Sequence, residues 1–163
     1  MNNSRRFLGL MTSTLLLAES ALARTEAPAS PAISASHAQT GPSVRIMKIR
    51  IRIDGHSGTA TLLANNTATD FLKLLPLTLR LSDYAATEKI SALPGKLSTS
   101  DAPAGVDPAV GDITYFAPWG NLGLFHRDFG FSKGLVKIGK LDSPMPILAK
   151  PGVPTATFEI ADK

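Results

Sequence analysis

From Met47 the chain alternates: in MKIRIRIDG, Ile49, Ile51 and Ile53 fall between Lys48, Arg50 and Arg52. Successive side chains of a strand point to opposite faces, so the pattern predicts a strand with its isoleucines in a core and its cations in water. Asp54 and Gly55 come next, and both tolerate positive φ. They predict a tight hairpin turn, with GTATLL as the returning strand. The alternation recurs in LTLRLSD, with Leu77, Leu79 and Leu81 inward, and in TATFEI, with Ala156, Phe158 and Ile160 against Thr155, Thr157 and Glu159. EKISALP reads as a short strand that Pro94 ends, and GLVKIGKL as another.

One segment follows a helical period instead. In NNTATDFLKLLP, Phe71, Leu74 and Leu75 share a helical face, Thr67 and Asp70 have the spacing of a capping box, and Pro76 marks the end. The helix is expected across a mouth or face of the sheet. Gly95 to Pro108 is rich in Ser, Ala and Pro and predicts a long surface loop. About eight strands with one short helix make the domain mainly β, and at this size favour an eight-stranded sheet closed into a barrel.

The aromatic residues are not spread evenly. GDITYFAPWGNLGLFHRDFGFS, Gly111 to Ser132, holds the only Trp, one of two Tyr and four of seven Phe. DITYF and LGLFHR read as a strand pair joined at APWGN, whose Pro and Gly suit a turn. By alternation His126 shares a face with Leu122 and Leu124, and Arg127 shares one with Phe125. Two readings compete for this segment. Either Phe116 and Phe125 are core with Trp119 capping the hairpin, or Phe116, Trp119, Phe125, His126, Arg127, Phe129 and Phe131 line a ligand site.

Composition narrows the function classes. The 163 residues carry a formal net charge of +4, and Arg5, Arg6 and Glu19 of the leader account for +1 of it, leaving +3. That is too little to argue for nucleic acid. The stripe of Arg45, Lys48, Arg50 and Arg52 has no interleaved aromatic platform, so it reads as a solvated face rather than a groove for an anionic polymer. With no cysteine, disulfides, thiolate metal sites and thiol nucleophiles are excluded. His126, Asp128 and Asp112 fall short of a metal site, Asp54, His56 and Ser57 form turn chemistry rather than a triad, and no cofactor motif is present.

The first 23 residues have a basic start, an apolar stretch from Phe7 to Ala18 and a small-x-small end at Ala21-Leu22-Ala23. This is the layout of a signal peptide, with Arg5-Arg6 resembling a twin-arginine signal. Its apolar stretch is too short to remain as a membrane anchor. The expected organisation is a leader over 1–23, an Ala, Pro and Ser-rich tether over 24–43, and a barrel domain over 44–163, in the periplasm or secreted.

Beyond these patterns, the order of elements resembles the cyclophilin-like fold. The likeness runs from about Met47 to Ile160, most specifically in GDITYFAPWGNLGLF and SKGLVKIGK, and is nearest to the small bacterial and archaeal cyclophilin-like proteins of uncharacterised function. It implies a closed eight-stranded barrel, with Thr67 and Phe71 matching the Thr-x-x-x-Phe pattern of the family's helix. Active cyclophilins carry Phe-His-Arg and then Pro-Gly-Phe on the strand after that helix. Here the region reads EKISALPGKLS, with Lys89 its nearby cation and no aromatic. The FHR of Phe125 to Arg127 falls in a later strand. The resemblance therefore implies a binding domain for a peptide or small molecule that has lost catalysis, with weak prolyl isomerisation as the alternative. Neither metal nor cofactor is implied, and oligomeric state stays open.

Overall fold

A computed structural model describes residues 47–161 of the chain. The leader over 1–23, the tether over 24–43 and Arg45 lie outside the described residues. In chain order the elements are β1 (Met47–Ile53), β2 (His56–Leu62), α1 (Asn66–Lys73), β3 (Leu77–Arg80), β4 (Ser82–Tyr84), β5 (Glu88–Ala92), β6 (Gly105–Val106), β7 (Asp112–Phe116), β8 (Asn121–Phe125), β9 (Ser132–Lys133), β10 (Leu135–Leu141) and β11 (Thr155–Ile160). A 3-10 turn over Pro146–Ala149 precedes β11.

Nine strands form one sheet in the order β3-β11-β1-β2-β10-β7-β8-β5-β4, with antiparallel pairing throughout. Its two edge strands, β3 and β4, are consecutive in the chain and separated by Leu81 alone. One continuous stretch therefore pairs first with β11 and then with β5, so the sheet returns on itself. Counted this way the barrel has the eight strands that the alternation predicts. Leu81 is fully buried, and its N–H donates to the Pro154 carbonyl at 2.9 Å.

The hairpin of β1 and β2 turns on Asp54 and Gly55 with φ of 43° and 83°, the positive values a two-residue hairpin needs. Ile49, Ile51 and Ile53 are wholly buried, with Phe158, Ile113, Leu122, Leu124 and Ile138 in the same interior cluster. Removing each such side chain from water contributes about 1.5–3 kcal/mol. Ala68 and Phe71 join that cluster, and Phe71 meets Phe158 edge-on with centroids 6.0 Å apart. Since the barrel wall is closed, the helix reaches the interior cluster by covering an open end.

Two local expectations are corrected. The helix is capped by Asn65, whose side chain accepts from the Ala68 N–H at 2.8 Å, and not by a box between Thr67 and Asp70. Thr67 is buried and donates to the Ser98 carbonyl at 2.7 Å, while Asp70 accepts from the Ser98 N–H at 2.9 Å and from Lys73. Both residues thus fasten the following loop to the helix. That loop is also more built than its composition predicts: Leu97 is buried, and Gly105–Val106 pairs with Ser132–Lys133.

Barrel closure places a charge inside. Lys89 is paired across β5 and β8 with Leu124, an interior residue, and is itself fully buried. Its ammonium sits 2.6 Å from Asp83 Oδ1 and donates to the Gly152 carbonyl at 2.8 Å, and the Gly152 N–H donates to Asp83 Oδ2 at 3.0 Å. Lys89 and the Gly152 amide hold the Asp83 carboxylate below its ordinary range. Removing one partner of a buried pair strands the other. Asp83→Ala leaves an ammonium inside the barrel against a single carbonyl, whereas Lys89→Met leaves Asp83 in water. Thermal melts should therefore show the larger fall in Tm for Asp83→Ala, and the reverse order would refute this role for the pair.

Candidate functional site

The register of β5, β8, β7 and β10 sorts their side chains into two faces. Leu122, Leu124, Ile113, Tyr115 and Val136 point into the barrel. The alternate residues build rows on the outer face. Tyr84, Glu88 and Phe125 are cross-strand partners in one row; Ile90, Gly123 and Thr114 in the next; Asn121, Phe116 and Leu135 in a third. Large side chains flank a glycine in the middle row, so the face is hollow there.

The hollow is a cleft of about 160 Å³ lined by Tyr84, Glu88, Phe116, Trp119, Phe125 and Phe129, with Asn121, Ile90, Leu135 and Ser132 among its further lining residues. Trp119 sits in the β7–β8 turn, 60% exposed, with its ring edge-on to Phe116 at 5.2 Å and to Tyr84 at 5.7 Å. Phe129 is 49% exposed, and its N–H donates to the Pro108 carbonyl at 3.0 Å. The loop over 95–108 thus braces the wall that Phe129 provides.

Four of the residues singled out from sequence, Phe116, Trp119, Phe125 and Phe129, come together in this cleft. Phe125 is buried, yet stands outside the interior cluster, as its outer-face register requires. The other three lie apart. β8 ends at Phe125, so the alternation expected to run through LGLFHR stops before His126 and Arg127, whose N–H groups both donate to the Thr87 carbonyl. His126 lines a second, apolar cavity with Leu141, Met145 and Leu148, and its Nδ1 is buried without a partner. Burial first, then the charges of Arg127 and Lys89, hold its imidazole below the ordinary value. Arg127 is exposed and lines neither cavity, and Phe131 is 61% exposed beside Gly105. Lys89, the cation of β5, faces the barrel interior and not the cleft.

Sequence reasoning passed over Tyr84, Glu88 and Asn121. Glu88 is the most unusual of them. Its carboxyl lies directly over Gly123, where a Cβ would overlap Glu88 Oε2 and come within 2.7 Å of Thr114 Oγ1. A glycine inside a strand often marks such an approach. Burial pushes the Glu88 carboxyl up to about 7.

The raised value makes stability depend on pH. From about 4.5, the ordinary value of the group, to about 7, the folded protein keeps a proton that the unfolded chain has released. Stability therefore falls as pH rises through that window and is lowest above it. Glu88→Gln removes this loss. Unfolding titrations should find variant and parent alike at pH 4 and the variant more stable at pH 8 by about 1–2 kcal/mol, a value below the full shift because solvent screens a half-exposed group. Equal stability at both pH values would contradict a desolvated Glu88.

The family model of the cyclophilin-like family matches residues 51–159. No curated protein matches the chain in sequence. Among solved structures, the fold is similar to the solution structure of a hypothetical protein from Archaeoglobus fulgidus, with a TM-score of 0.51 over 71% of this chain and 95% of that chain. At 18% identity that likeness speaks for the fold alone. Together with the barrel, its covering helix and the family match over most of the domain, these findings show that the chain belongs to the cyclophilin-like family.

Proposed function

We propose that this chain is an exported, non-catalytic binding module that holds a peptide or small ligand in the aromatic cleft on the outer face of β5 and β8. The observation that carries this reading is the exposure of Trp119 and Phe129 at 60% and 49% around a hollow lined by Glu88, Ile90, Asn121 and Phe125. Packing of the barrel does not require either ring in water, and apolar surface grouped around a concavity is what a ligand would cover. Export rests on the leader sequence, and the barrel is compatible with it because it uses no cysteine.

Weak prolyl isomerisation is the second reading, favoured by aromatic walls suited to a prolyl ring. It needs a donor that stabilises the twisted imide. The cationic candidates do not line the cleft: Lys89 is tied to Asp83 inside the barrel, and His126 and Arg127 lie elsewhere. Glu88 and Asn121 supply oxygen acceptors in its place. This arrangement supports binding over catalysis.

Two variants test the cleft. Trp119→Ala should abolish ligand binding while costing about 1–3 kcal/mol of stability, from two edge contacts of roughly 0.5–1.5 each, against the roughly 3–5 of a core Trp. Gly123→Ala should also impair binding, because its Cβ would displace the Glu88 carboxyl that lies over it, at the roughly 1–3 kcal/mol typical of overpacking. Retained binding in both variants would sink the assignment. For the second reading, NMR exchange on a short X-Pro peptide should show no acceleration by the protein, and acceleration would restore isomerisation as the function.

A further inference from the structure

Two oxygen acceptors in the cleft have nothing to accept from. Glu88 has no side-chain hydrogen bond or ion pair among the described residues, and desolvation alone accounts for its raised pKa. Asn121, 7% exposed, has a buried Oδ1 without a hydrogen-bond partner. Asn121 is the outer-facing residue of β8 next to Gly123, over which the Glu88 carboxyl lies, and both residues line the cleft. A buried acceptor such as Asn121 Oδ1 is ordinarily satisfied, since an unpaired one is costly.

The hydroxyls of Tyr84, Thr87 and Ser132 are the neutral donors of the lining, and the nearby cations and Thr114 are engaged elsewhere. Lys137, on the outer face of β10 opposite Thr114, sits 2.7 Å from Asp112 Oδ1. Thr114 Oγ1 donates to the Gly123 carbonyl at 3.4 Å, and Lys89 faces the interior. Around the acceptors stand the rings of Tyr84, Phe116, Trp119 and Phe129, whose faces attract cations and whose carbon surface suits an apolar stem. The missing component is thus a group that donates hydrogen bonds, carries positive charge and is attached to carbon.

We infer that the cleft takes a protonated primary amine, its ammonium donating to the Glu88 carboxylate and Asn121 Oδ1 and its carbon stem packed among the aromatic walls. This rests on the reading of the cleft as the binding site and adds the chemical class of the ligand. A space of about 160 Å³ admits one such side chain or one ring with a short arm. The amine belongs either to a lysine residue of a peptide or to a free small molecule, and the same chemistry serves both.

Trp119 is the sole tryptophan and lines the cleft, so its emission reports occupancy. The full chain is titrated at pH 8 with benzylamine, benzyl alcohol, phenylacetate and N-acetyl-lysine methylamide, for the parent and for Glu88→Gln. The expected result is that the better amine binds at least about tenfold more tightly than the alcohol and that phenylacetate is weakest, as a charge-assisted contact requires. Glu88→Gln should bring that amine to within about twofold of the alcohol while leaving alcohol binding unchanged, which also shows the variant is folded. Tighter binding of the lysine derivative than of benzylamine supports a peptide source, and the reverse order supports a free amine. Amine and alcohol binding alike in the parent, or an amine preference that survives Glu88→Gln, would overturn the inference and leave the cleft as a binding site for another ligand class. Silence from every probe would overturn the cleft assignment itself.

Discussion

The fold depends on the single residue by which one strand changes partners. β3 pairs with β11, β4 pairs with β5, and only Leu81 separates them, so the two edges of the sheet become one continuous chain. An open sheet of this length would leave two rows of unpaired backbone groups. Closure removes them. The ring of Lys89, Asp83 and Gly152 sits beside this junction and joins β5, β4 and the segment before β11 through one buried ammonium. That charge helps to specify the register, because a slip of one residue would turn Lys89 outward and Glu88 inward.

Fixing the register in this way also determines the site. With Lys89 committed to the interior, Glu88 and Ile90 face outward, and the same alternation on β8 turns Gly123, Asn121 and Phe125 toward them. The cleft is therefore a product of strand alternation, which brings Glu88 and Ile90 of β5 beside Asn121 and Phe125 of β8. The β7–β8 turn adds Trp119, and the loop over 95–108 adds Phe129 by holding its backbone. A rigid floor with adjustable rims suits binding with little rearrangement.

Legibility in the sequence followed from how many faces each strand buries. β1 buries one face and leaves the other in water, so its isoleucines and cations announce the strand and its orientation. β8 is buried along its whole length, because the barrel lies on one side and the aromatic rings on the other. Burial on both faces erases alternation, which is why Phe116 and Phe125 read equally well as core or as site. His126 and Arg127 fall outside the aromatic cleft because the strand pattern runs on past Phe125 in sequence while the backbone bonds turn to Thr87. Glu88 and Lys89 carry no pattern signal at all: adjacent charges at the start of a short strand resemble a solvated edge. The available clue was Gly123 inside a strand, which makes room for a neighbour that sequence does not name.

The claim on which the functional account turns is that this chain receives its ligand in the cleft lined by Glu88, Trp119, Asn121 and Phe129. The direct measurement is amide shift mapping by NMR, with the isotope-labelled full chain and a mixture of small amines, alcohols and proline peptides. The account predicts perturbations confined to β5, β8, the turn carrying Trp119 and the backbone of Phe129. Perturbations centred instead on the cavity of His126 and Leu148, on the cationic face of Lys48, Arg50 and Arg52, or on no part of the barrel would contradict it.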